Sequence, residues 1–233
     1  MTHSNIKEKF LIEYDKASIA SSYPSLTDYE IATVLDKAYL ALIAQKLTGN
    51  NPRGVQFEGD TKAIEDIRPL ITRITILPSD VDKEASNEYV YDLPEDFMYY
   101  LQSKANLTYR PNAIDEKTHS LVEVNLVTHE LASKFMCTTH NFPWVEIPVC
   151  CLEDNILRMF IDPMRVDDNK KPSLNLMYIR KPNKFCGEYF SSNEFLWNDT
   201  EFELSDTMAE ELVNLAVLMS TKIVESTRLT AEI

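Results

Sequence analysis

Residues 61–76 read TKAIEDIRPLITRITI. Ile64, Ile67, Leu70, Ile71 and Ile74 fall at helical spacing in this run, which predicts a helix with one apolar side. Pro69 lies inside it. With no N–H to donate and a ring that crowds the preceding turn, it is expected to kink or split the helix. Read this way, the run is the second member of a helical bundle, and the rest of the chain is arranged around that bundle.

On the N-terminal side, TDYE (residues 27–30) fits a capping box, with Thr27 at the N-cap and Glu30 three residues on. Ile31, Val34, Leu35, Ala38, Leu42 and Ile43 then keep helical spacing, and Gly49 is placed to cap the far end. A shorter helix, Ile6 to Lys16, precedes it across the link ASSYPS. NNPRGVQFEG (residues 50–59) reads as a loop between the first long helix and the 61–76 run.

On the C-terminal side, a polar link, LPSDVDKEASNEY, leads into YVYDLPEDFMYYLQSKANLTY (residues 89–109). Leu93-Pro94 ends a strand there, because proline restricts the residue before it and offers no N–H. Phe97, Tyr99, Tyr100 and Leu101 follow as an aromatic block. Val122, Val124 and Leu126 alternate with Glu123 and Asn125, the pattern of a half-buried strand. THELASKFM predicts a short helix capped by Thr128. Trp144 to Leu152 and Asn155 to Asp162 predict a hairpin turning at Glu153-Asp154, and Leu174 to Arg180 a further strand. The last helix begins at Ser205 and Asp206. Met208, Leu212, Leu215, Ala216, Met219 and Ile223 form its stripe, and Val213, Val217 and Val224 widen that stripe beyond one face.

The expected fold is therefore α+β: a bundle of helices 28–48, 61–76 and 205–226 carrying a strand-rich insertion. The expected organisation is a single domain over 1–233, with an N-terminal helical part (1–80), a β-rich part (85–200) and a C-terminal helix (204–228) packing back on the bundle.

The chain carries 37 acidic and 23 basic residues, for a net charge of -14. No basic run is present, and so much acid predicts repulsion from nucleic acid and anionic lipid. No apolar run approaches the ~18 residues of a membrane span, and the opening MTHSNIKEKF lacks a signal-peptide pattern, so an intracellular, reduced protein is expected. Only four glycines occur, too few for a phosphate cradle or a dinucleotide fingerprint. Cys137-Thr-Thr-His140 with Cys150-Cys151 is the one sequence grouping that suggests zinc. Neighbouring strand residues face opposite ways, however, so Cys150 and Cys151 cannot both be ligands without a bulge. Cys137 with His140 or His129 could pair a nucleophile and a base, but no orienting third residue or oxyanion donor is legible. These cysteines are read as core residues. No catalytic, cofactor-binding or metal residues are expected. The candidate functional residues are a subunit interface: Phe97, Tyr99, Tyr100, Val213, Val217 and Val224.

A series of segments, in order, carries a family resemblance: ALIAQKLTGNNPRGVQFEGDTKAIEDIRPLI, YVYDLPEDFMYYLQSKANL, VTHELASKFMCTTHNFPW, LNLMYIRKP, and FELSDTMAEELVNLAVLMSTKIVESTR. Together they cover most of the chain. It resembles the ring or adaptor proteins of the head–tail connector of tailed bacteriophages, and among them the ring proteins of crAss-like phages. The resemblance implies a structural virion protein, not an enzyme: a homo-oligomeric ring, a dodecamer, in the neck between portal and tail. Its partners would be the portal protein and other tail or ring proteins, with genomic DNA passing through the lumen and no membrane. It would reside in the host cytoplasm during assembly. The alternatives are a Cys/His- or zinc-dependent enzyme and a small regulatory binding module.

Overall fold

The computed structural model describes residues 1–18, 24–48, 61–79, 88–110, 119–137, 143–162, 164–167, 170–187, 197–198 and 200–231. They form two compact units: Met1–Leu70 with Pro182–Ile233, and Ile71–Lys181.

The second unit is a seven-stranded curled mixed sheet, a half-barrel. Its strands are β1 (Ile71–Ile76), β2 (Glu88–Asp92), β3 (Phe97–Thr108), β4 (His119–Leu126), β5 (Val149–Glu153), β6 (Ile156–Phe160) and β7 (Ser173–Arg180), in the order β1-β7-β3-β4-β5-β6-β2. Every neighbouring pair is antiparallel except β4 and β5, which run parallel. One face buries Tyr91, Ala105, Leu107, Val124, Cys150, Leu157, Met159, Leu174, Leu176 and Tyr178 in a single cluster. A smaller cluster, Ala132, Val149, Cys151 and Phe160, gathers apolar side chains around a short helix (His129–Cys137) that follows β4. The β5–β6 turn places Asp154 at φ 46°, a left-handed conformation that Asp tolerates better than most residues.

LPEDF (residues 93–97) proves to be the tight link from β2 to β3. The Phe97 amide donates to Pro94 O at 2.9 Å, and the Lys181 amide to Asp96 O at 2.7 Å. The Tyr178 hydroxyl donates to Asp96 Oδ1 at 2.9 Å. Burial, with that carboxylate beside it, pushes the Tyr178 phenol up to about 12.

The first unit holds α1 (His3–Ser18), α2 (Asp28–Leu47), α3 (Thr61–Ile67) and the last helix, which is α5 (Asp206–Ala231) once the short sheet helix (His129–Cys137) is counted as α4. Thr27 and Glu30 form the expected capping box at the start of α2. Lys46 ties α2 to α3 and α5, with its ammonium 2.9 Å from both Asp66 and Glu211. Ile6, Phe10, Leu35, Tyr39, Ile43, Ile67, Met208, Leu212 and Ala216 are buried. His3 is buried as well, stacked on Phe185 at 4.1 Å with Nδ1 2.7 Å from Asn198 O.

The expected helical bundle with a strand-rich insertion is corrected by this architecture, because the dominant assembly is the sheet. The error lies largely in residues 61–76. The helix stops at Ile67, a 3-10 turn spans Arg68–Leu70, and Ile71–Ile76 is an edge strand of the sheet. All but one residue of ITRITI is β-branched, which favours strand over helix. Ile74 and Ile76 face the core cluster while Arg73 and Thr75 are exposed, a period of two. Ile64 and Ile67 therefore belong to the helix, Leu70 to the 3-10 turn, and Ile71 and Ile74 to the strand. Leu126, expected to be half-buried, is 47% exposed. Gly49 and the loop at 50–59 lie outside the described residues.

Candidate functional site

The expected interface residues fall in different units. Phe97, Tyr99 and Tyr100 open β3, where two register shifts against β7 break the regular alternation, one on each side of the Tyr99-Tyr100 pair. Phe97 packs on the core cluster, its ring 5.6 Å from Tyr178. Tyr100 also packs there. Its hydroxyl donates to Val124 O at 3.3 Å and lies 2.9 Å from Ser103 Oγ. Tyr99 is the exposed member of the three, at 39%.

The three valines lie along α5, whose environment changes from one end to the other. Ser205 opens the helix, its hydroxyl accepting from the Met208 amide at 3.4 Å. Met208, Ala209, Leu212, Val213 and Ala216 are buried. Val217 and Val224 are half-buried, and Leu218 and Ile223 are 56% and 51% exposed. Val213 is thus spent on the interior, while Val217, Leu218, Ile223 and Val224 leave apolar surface open on the later turns.

A second grouping carries chemistry. β4 and β5 pair in parallel at Asn125↔Val149 and Leu126↔Cys150. The Val127 amide extends this pairing to Cys150 O at 2.8 Å. The chain then turns into α4, whose first residue, His129, stands over β5. Adjacent strand residues diverge as expected: Cys150 lies in the large core cluster and Cys151 in the small one. Cys151 and Glu153 share a strand face, two residues apart. Together with His129 they place Nδ1, Sγ and a carboxylate oxygen within 4.8 Å of one another. Glu153 Oε1 is 3.7 Å from His129 Nδ1 and 3.9 Å from Cys151 Sγ. Its other oxygen accepts from Arg158 Nε at 2.6 Å. Arg158, opposite Cys151 on β6, also donates to the fully buried Glu88.

Burial pushes the Cys151 thiol up to about 11, and the Glu153 carboxylate adds to the shift. Burial likewise raises Cys150 to about 12. At neutral pH both are therefore neutral thiols, poor nucleophiles as they stand. Of the zinc grouping considered and set aside in the sequence, Cys137-Thr-Thr-His140 with Cys150-Cys151, His140 and the Cys137 side chain lie outside the described residues, and Cys150 is in the core. In the sequence, His129 belongs to a first helical turn and Glu153 to a hairpin turn. The legible signal was Cys-x-Glu on one strand; the His arrives only through the parallel β4–β5 pairing.

No protein-family model matches the chain, and no curated protein does.

Proposed function

We propose that this chain is a structural subunit of a phage head–tail connector, assembling as a ring between portal and tail. The observation that carries this reading is α5 from Val217 onward. Val217 and Val224 are half-buried and Leu218 and Ile223 are exposed, on a helix whose earlier turns bury Met208, Ala209, Leu212, Val213 and Ala216 in its own unit. Exposed apolar surface on a regular, capped helix suits a neighbouring subunit, and a ring needs such a surface on every copy. The serial resemblance of its segments to connector ring proteins supports the same reading. The net charge of -14 suits a channel through which DNA must slide without sticking.

The test is the mass of the purified full chain by sedimentation and native mass spectrometry, over a range of concentrations and with a portal protein added. Closed oligomers of one defined copy number are expected. A chain that stays monomeric under every condition overturns the proposal.

A further inference from the structure

We propose that His129, Cys151 and Glu153 form a zinc site that fastens the start of α4 to strand β5. Zinc accepts nitrogen, sulfur and oxygen donors at about 2.0–2.3 Å, so tetrahedral ligands lie roughly 3.3–3.8 Å from one another. The two spacings to the same Glu153 oxygen, 3.7 Å from His129 Nδ1 and 3.9 Å from Cys151 Sγ, are close to that geometry. All three donors lie within 4.8 Å, so an ion draws them together by less than the reach of a side-chain rotation.

The surroundings are arranged for it. Arg158 holds Glu153 Oε2 at 2.6 Å, which leaves Oε1 aimed at the histidine and the cysteine. Orientation of a ligating carboxylate by a hydrogen-bonding neighbour is a recurrent property of metal sites. Arg158 itself is anchored by the buried Glu88, so the orienting group is fixed rather than loose. Charge also balances. A thiolate and a carboxylate neutralise the dication, the imidazole binds neutral, and the Arg158–Glu88 pair adds no net charge. On binding, the Cys151 S–H bond breaks, its proton leaves to solvent, and the Zn–S bond forms in its place. His129 is 67% exposed and Glu153 39%, so the fourth position faces solvent and takes a water. One mixed thiolate, imidazole and carboxylate set favours zinc over magnesium or calcium, which need oxygen donors.

The full-length protein, freed of metal with a chelator, is titrated with cobalt chloride as a spectroscopic stand-in and with zinc sulfate. One cobalt per chain and a near-ultraviolet thiolate-to-cobalt charge-transfer band are expected, with zinc displacing the cobalt. Zinc should also raise the melting temperature. Cys151→Ser should abolish the band, and His129→Ala and Glu153→Gln should each weaken binding at least about tenfold. His129 is exposed, so its variant keeps the site testable even where Cys151→Ser disturbs the fold; far-UV circular dichroism checks each variant. No charge-transfer band in the unaltered protein overturns the proposal. So does undiminished affinity in His129→Ala, or a band that survives in folded Cys151→Ser, which would put the metal on another cysteine.

Discussion

Arg158 serves two carboxylates at once. One is Glu88, fully buried, and the other is Glu153 at the rim of the sheet. A buried ion pair adds little net stability against an apolar replacement, but removing one partner strands the other charge. Arg158→Met should therefore cost about 3–5 kcal/mol. The double change Arg158→Met with Glu88→Met should recover most of that loss. Urea midpoints at constant slope would measure both, and a single variant as stable as the parent would refute the coupling. Asp28 makes a milder case. It accepts from Lys7 Nζ at 2.8 Å and from Trp197 Nε1 at 3.3 Å. The Lys7 hydrogen bond is the main cause holding its carboxyl below the ordinary aspartate value. With the folded value depressed, the stabilisation is present above the unfolded value and is lost as pH falls through the folded one. Lys7→Met should lower the melting temperature slightly at neutral pH, corresponding to a loss of less than about 1 kcal/mol of stability for so exposed a pair. The two curves should converge as pH falls through the depressed Asp28 value and the carboxylate takes up its proton. A difference that persists at low pH would mean that Lys7 acts by packing.

Each long element has its own division of labour. Helix α5 buries Met208, Leu212 and Val213 inside its unit and leaves Val217 and Val224 half-buried and Leu218 exposed. Val213→Asp should bury an unpaired charge and prevent folding, since desolvation of such a group costs several kcal/mol. Val217→Asp should fold, with unchanged far-UV circular dichroism, and should fail to assemble. A Val217→Asp protein that assembles normally would remove α5 from the proposed subunit interface. On β3 the same comparison leaves Tyr99 as the candidate contact, because Phe97 and Tyr100 pack on the core.

Taken whole, the chain is strongly acidic, and a ring would multiply that charge around its channel. Phosphate binding depends on neutralising Lys or Arg, which release counterions. Purified protein should therefore leave duplex DNA unshifted in a gel even at low salt, as a lumen lined by Asp and Glu would require. Tight, salt-sensitive binding would refute the channel reading. The acidic stretches 77–89 and 189–203, candidate sources of that charge, lie in large part outside the described residues. The division of the chain into two units and the curl of the sheet belong to this level too, and neither could be read from any one segment.

The sequence by itself determined whatever depends on near neighbours. The capping box at Thr27 and Glu30, the β5–β6 hairpin, the stop at Leu93-Pro94 and the opposite facing of Cys150 and Cys151 all follow from interactions within a few residues. The charge balance follows from composition alone. Tertiary structure decided the rest. ITRITI satisfies a helical and a strand spacing almost equally. It becomes a strand because β7 supplies its hydrogen bonds, with Thr75 Oγ1 donating to Asn175 Oδ1 at 2.7 Å across 100 residues of chain. His129 likewise meets Cys151 and Glu153 only because β4 and β5 lie side by side in parallel. A backbone group must find a partner somewhere, and when that partner is distant in sequence no local pattern can name it.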